Sequence, residues 1–225
     1  MDYDFTFNHY KEVITKALEA GYTFYTFSEY HAKKPKGKTF LLRHDVDNFF
    51  ERAAGFARVE DELGVKATYF LRVHTHYNPF EYNNYALLKR LESAGHELGL
   101  HTEASEFAAM HGAEKPDALL AREKAFLEAC LGHEVHGLAP HRDINYAANT
   151  LPLLQGMDLA AMGFDYQAYE DVFVKESKYV SERIDGHIGW YEHGPEEYID
   201  KFDKITLLTH PQWWFEKHPR EGRIA

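Results

Sequence analysis

The chain has 225 residues, 36 acidic and 25 basic side chains, a formal net charge of −11 and 44% hydrophobic residues. That length fits one domain around a single sizeable core, residues 1–225, and the acidic balance argues against nucleic acid, which needs a basic face. The one cysteine, Cys130, leaves no internal disulfide and no thiolate metal cluster, and no apolar run is long enough to span a bilayer.

The N-terminus, "MDYDFTFNHYKEV", lacks a basic start followed by an apolar run, so a cytoplasmic location is expected. Apolar spacing near the helical period and a Gly stop predict a helix in "NHYKEVITKALEAGY", 8–22. "YTFYTF", 22–27, reads as a short strand and "HAKKPKGK", 31–38, as a loop, so 1–38 forms an N-terminal addition to a core over 39–215. From residue 39 onward, apolar β-branched runs alternate with amphipathic ones. "KTFLLRHD" precedes "FFERAAGFARVEDELG", "KATYFLRV" precedes "NNYALLKRLESAG", "HELGLH" precedes "DALLAREKAFLEACLG", and "VHGLAP" precedes "ANTLPLLQG". Strand followed by helix, repeated, implies parallel pairing through crossovers. "DYQAYEDVFV", "KYVSERI" and "DKITLLTH" add strand candidates with less regular connections. An incomplete or distorted β/α barrel fits this order better than an open sheet, because chemistry-bearing residues follow so many strands.

Five predicted strand ends carry such residues. They are His44, Asp45 and Asp47; His74 and His76; His101 and Glu103; Pro140, His141 and Arg142; and Thr209 and His210. In a β/α barrel those ends converge on one mouth. With 15 histidines in the chain some fall at strand ends by chance, but the coincidence at five ends weighs against chance alone. Along an extended strand Asp45 and Asp47 share one face, about 6 to 7 Å apart, while His44 points to the other. Two ionised carboxylates that close need a cation or a positive side chain beside them. Capping of the helix near Phe49 accounts for one of these acids and hardly for two.

"FLLRHDVD", then "GHELGLHTE", then "LLTHPQWW" resemble, in residues and in order, the NodB-homology polysaccharide deacetylases of carbohydrate esterase family 4. The resemblance covers about residues 39 to 215 and implies a NodB-like distorted β/α barrel, one divalent metal ion (zinc first, with cobalt, nickel or manganese as alternatives) and an acylated amino-sugar substrate. It implies that Asp45 is the catalytic base, Asp47 and His101 are metal ligands and His210 is the general acid. The family's second motif carries another histidine one turn after the first, where this sequence has Ser105. Glu103, His141 and the His74/His76 pair are candidates by position for the third ligand, and His141 is favoured because its imidazole restores the missing nitrogen. The family's base-orienting arginine is represented by "APHRD", which makes Arg142 the expected partner of Asp45.

Trp213 and Trp214, with His74 and His76, are expected to contact substrate, and Asp185, His187 and Trp190 sit in a glycine-flanked stretch suited to the mouth. Two other readings stand beside the hydrolase. "VHTHYN" is an H-x-H of the kind amidohydrolases and PHP phosphoesterases use for metal, and Ser105 fits a non-catalytic carbohydrate-binding relative that has lost its metal.

Overall fold

The computed structural model describes residues 4–111, 115–141, 154, 157–184 and 188–219. Nine strands form one sheet: β1 (Thr23–Tyr25), β2 (Thr39–Val46), β3 (Thr68–Arg72), β4 (Glu97–Thr102), β5 (Gly137–Pro140), β6 (Tyr166–Gln167), β7 (Lys178–Ile184), β8 (Ile188–Trp190) and β9 (Lys204–Thr209). Their order is β6-β5-β4-β3-β2-β9-β7-β8, with β1 joined to β2, and every pairing is parallel except the β7–β8 hairpin. The sheet curls into a distorted, incomplete β/α barrel; among the described residues no ladder joins β6 to β8.

Strand β2 lies at the centre and sets the logic of the sheet. Phe40, Leu42, His44 and Val46 face outward toward the helices, whereas Leu41, Arg43, Asp45 and Asp47 face the barrel interior, as the period of two requires. The outer core packs Phe40, Leu42, Tyr69, Leu71 and Leu100 under α1 (Phe7–Glu19), α3 (Ala53–Leu63), α4 (Tyr82–Ser93) and α6 (Pro116–Leu131). The inner core is smaller: Leu41, Phe70, Ala139 and Tyr166 fill the barrel below the site. Gly99 and Gly137 make room for it, since a Cβ at either would lie 2.6 Å from the Phe70 ring or 2.2 Å from the Tyr166 hydroxyl. At both strand positions a side chain would overfill the interior.

The N-terminal segment differs from its sequence reading. The apparent strand "YTFYTF" ends at Tyr25, and α2 (Phe27–Lys33) takes up part of the expected loop. Thr26 and Glu29 form a capping box, each side chain bonded to the other's backbone at 3.2 Å. This helix closes the bottom of the barrel: Phe27 stacks on Phe173 at 4.5 Å, its N–H donates to Thr68, and the Ser28 N–H donates to Glu97. A further short helix, α5 (Ala104–His111), follows β4 directly. The helix expected in "ANTLPLLQG" lies, apart from Leu154, outside the described residues. No helix among the described residues is long and apolar enough to cross a membrane.

Candidate active site

The C-terminal strand ends bring together residues far apart in the chain, from Asp45 to His210. Asp45 is buried at the end of β2, gripped by Arg43 from the same face: Nε donates to Oδ1 at 2.8 Å and Nη2 to Oδ2 at 2.7 Å. Arg43 is itself fully buried, donates to the Tyr169 hydroxyl at 2.9 Å and lies over that ring at 4.3 Å. Burial opposes ionisation of Asp45, but the guanidinium outweighs it and holds the carboxyl below its ordinary range. The arginine that aims Asp45 is thus Arg43; Arg142, for which that task was expected, lies outside the described residues. The signal for Arg43 was the i, i+2 spacing, which puts a side chain on the same strand face.

Asp47, His101 and His141 converge beside it. Asp47 Oδ1 lies 3.2 Å from His101 Nε2 and 3.5 Å from His141 Nε2, and the ligand atoms of all three lie within 4.8 Å of one another. His101 Nδ1 is 2.9 Å from the Ala139 carbonyl, and His141 Nδ1 is 3.0 Å from a Glu106 carboxylate oxygen; both partners only accept, so both Nδ1 atoms donate. Both Nε2 atoms therefore face Asp47 Oδ1, which is buried and has no hydrogen bond of acceptable geometry. Burial works against a charged His101, but Asp45 and Asp47 outweigh it and raise its pKa, so this point favours positive charge, whether a proton on the ring or a bound cation. Two imidazoles and a carboxylate, with their outer nitrogens held by acceptors, fit a divalent ion such as zinc.

The neighbourhood is built to keep these groups in place. Gln212 donates to Asp47 Oδ2 at 3.3 Å and accepts from Asn48, while Thr75 donates to the Asp47 carbonyl. Glu103, expected as a rival ligand, pairs with Arg72 at 2.6 Å and sits 3.4 Å from His141 Nδ1; burial pushes it up, but His141 and Arg72 bring it down to about 2. Asp47 is held well below the ordinary carboxylate range, as His101 outweighs burial.

His210, just past β9, is bound by Glu182 of β7, whose Oε2 accepts both the backbone N–H and the ring Nδ1 of His210 at 2.7 Å. Burial works against the imidazolium, yet Glu182, with Asp47 and Asp45 further off, raises its pKa to about 9. The sequence held a signal for Glu182: an acid in the "KYVSERI" register between Val180 and Ile184.

The aromatic and H-x-H expectations fare differently. Trp214 is 1% exposed, packs on Phe5, Tyr10 and Phe56, and donates its indole N–H to Glu182; it belongs to the core and contacts no substrate, a correction to its expected role. The 3-10 turn Pro211–Trp213 leads directly into buried Trp214, while Trp213 is half-buried against the same outer core. His74 stacks on Phe107 at 4.0 Å and lies 3.0 Å from Glu123 of α6, and His76 is exposed; neither joins the Asp47 cluster. Trp190 stacks on Phe5 at 4.9 Å, and Asp185 and His187 lie outside the described residues.

No protein-family model and no curated protein matches the sequence. Solved structures share the fold. IcaB from Ammonifex degensii is similar with a TM-score of 0.51 at 18% identity, over 70% of this chain and 73% of its own. The Streptococcus pyogenes deacetylase PplD, in complex with acetate, gives 0.49 at 12% identity over 91% and 81%. The Xyl-CE4 domain of a multidomain xylanase from the hindgut metagenome of Trinervitermes trinervoides gives 0.42 at 19% identity over 55% of this chain; the chain spans 56% of that structure. At such identities the likeness is one of fold, and the fold is the one the motif order implies.

Proposed function

We propose that the protein is a metal-dependent hydrolase that removes an N-acyl group, acetyl first, from an amino sugar of a polysaccharide or its precursor. The observation that carries this reading is the convergence of the His101 and His141 Nε2 atoms on the unpartnered Asp47 Oδ1, beside a base clamped by Arg43 and an imidazole charged by Glu182. Asp47, His101 and His141 would hold the ion. A divalent ion supplies Lewis acidity to water and to the acyl carbonyl. Asp45, kept ionised by Arg43, accepts a proton from the attacking water. His210, kept protonated by Glu182, donates one to the leaving amine. The protein would meet its sugar inside the cell, and the order of "FLLRHDVD", "GHELGLHTE" and "LLTHPQWW" supports the choice of substrate.

Asp45→Asn tests the reading. It keeps the size of the side chain and removes the basic oxygen. Metal content should survive, while release of acetate from an N-acetylated amino-sugar oligomer falls by about two to four orders of magnitude. Loss of metal would make Asp45 a ligand, and undiminished turnover would remove it as base. A metal-free wild-type protein that still binds sugar would favour the carbohydrate-binding alternative.

A further inference from the structure

The Glu182 carboxylate is fully shielded from solvent, and its two oxygens serve different partners. Oε2 accepts from the backbone and the ring of His210, whereas Oε1 accepts the indole N–H of Trp214 and, among the described residues, nothing else. An amide and an indole can only donate. One such donor at each oxygen favours the ionised carboxylate and leaves it a single orientation.

The indole is itself held from several sides. Its ring centroid lies 5.3 Å from that of Phe5, 5.7 Å from that of Tyr10 on α1 and 5.3 Å from that of Phe56 on α3. The backbone is pinned as well, because the next residue, Phe215, donates its N–H to the Phe5 carbonyl and accepts from the Phe7 N–H, each at 3.0 Å. Phe5 takes a left-handed φ of 62° to reach this place, a conformation that a bulky residue keeps only under constraint. The direction of the indole N–H is therefore set by packing, and its target is the oxygen that His210 does not use.

We propose that Trp214 is a positioning residue for His210: its indole N–H fixes the Glu182 carboxylate, which in turn aims the imidazole that protonates the leaving amine. This rests on the hydrolase reading above. Trp190 is the natural control, since its ring packs on Phe5 at 4.9 Å and on Trp214 at 6.2 Å, while its own N–H has no partner among the described residues.

Acetate release from an N-acetylglucosamine tetramer is measured for wild type, Trp214→Phe, Trp190→Phe, Glu182→Gln and Glu182→Gln/Trp214→Phe, each below its melting temperature. Trp214→Phe should lower kcat by about ten- to hundredfold with KM within about twofold, and Trp190→Phe should change kcat by less than about twofold. Added to Glu182→Gln, Trp214→Phe should cost under about threefold, because the amide has one acceptor oxygen and His210 already takes it. Equal losses in both backgrounds, or as large a loss in Trp190→Phe, would make Trp214 a packing residue only. NMR supplies a reading that needs neither turnover nor a folded Trp214 variant: the Trp214 indole N–H resonance should move upfield in Glu182→Gln, and an unmoved resonance overturns the proposal. A wild type that releases no acetate but shows this shift removes the hydrolase and keeps the Trp214 contact to Glu182; acetate release without the shift does the reverse.

Discussion

Two buried clusters of imidazole and carboxylate lie on opposite faces of β2, one residue apart in sequence. On the outer face, Glu60 of α3 accepts from Tyr10 at 2.6 Å and from Tyr69 at 2.5 Å and pairs with His44 Nε2 at 2.7 Å, while His44 Nδ1 bonds Thr209 at 2.6 Å. Each ring nitrogen of His44 and each oxygen of Glu60 has a partner. On the inner face, His101 and His141 aim their Nε2 atoms at an Asp47 oxygen that has no hydrogen-bond partner. Composition is nearly the same and burial is similar, so neither residue type nor depth distinguishes structure from function here. Satisfaction does, because a buried polar group left without a partner is costly unless a ligand supplies one.

The sharpest way to break this comparison is to cut each cluster in turn. Asp47→Ala and His101→Ala should each abolish uptake of a divalent ion, read by elemental analysis, with little loss of melting temperature for metal-free protein. Glu60→Ala should do the opposite. Removing it strands His44 and two tyrosyl hydroxyls in the core, at a cost of about 3–5 kcal/mol, which for a chain of this size lowers the melting temperature by on the order of 10 °C. Its metal content should stay at that of wild type. Full metal retention in both inner variants would show that the inner cluster is no metal site.

The same contrast marks what was legible in the sequence. Period-two alternation in "FLLRHDVD" separates Asp45 and Asp47 from His44, and strand-end placement gathers His101, His141 and His210, since both follow from local spacing. Glu60 reaches β2 from a helix, a contact that spacing alone does not encode, and Glu182 reaches His210 from β7, whose pairing with β9 the sequence does not specify. Arg43 is readable from the same period of two, two residues before Asp45 on one strand face. The α2 plug was hidden because "YTFYTF" alternates like a strand while Thr26 and Glu29 cap a helix that starts at its last residue, Phe27. Trp214 is hidden for a related reason: its position next to a strand-end histidine does not tell that its ring packs on Phe5, Tyr10 and Phe56.

A smaller effect is expected from Arg43→Met. Asp45 would stay buried but lose the guanidinium that offsets burial, so its pKa rises. The base acts ionised, and its loss of the proton would come at higher pH than in wild type. The acidic limb of the kcat/KM profile should therefore move upward by about one to three pH units, with activity recovering at alkaline pH. A profile that only drops in height, without moving, would mean that Arg43 positions Asp45 without setting its charge.

The smallest effect concerns His210 and isolates the Glu182 carboxylate. Protonated His210 is the acting form of a general acid, and its pKa of about 9 lies above the ordinary histidine value because Glu182 outweighs burial. A folded-state value above the unfolded one means that this pairing stabilises the protein fully below the unfolded pKa and stops doing so as pH rises through about 9. In Glu182→Gln the amide oxygen can still accept from the His210 backbone and ring, but the negative charge is gone. The His210 pKa should fall by at least about one unit, and the alkaline limb of kcat/KM should move to lower pH with it. Titration of the His210 ring by NMR reads that fall even where turnover is weak, and an unchanged ring pKa with an unchanged alkaline limb would remove Glu182 from the control of the acid.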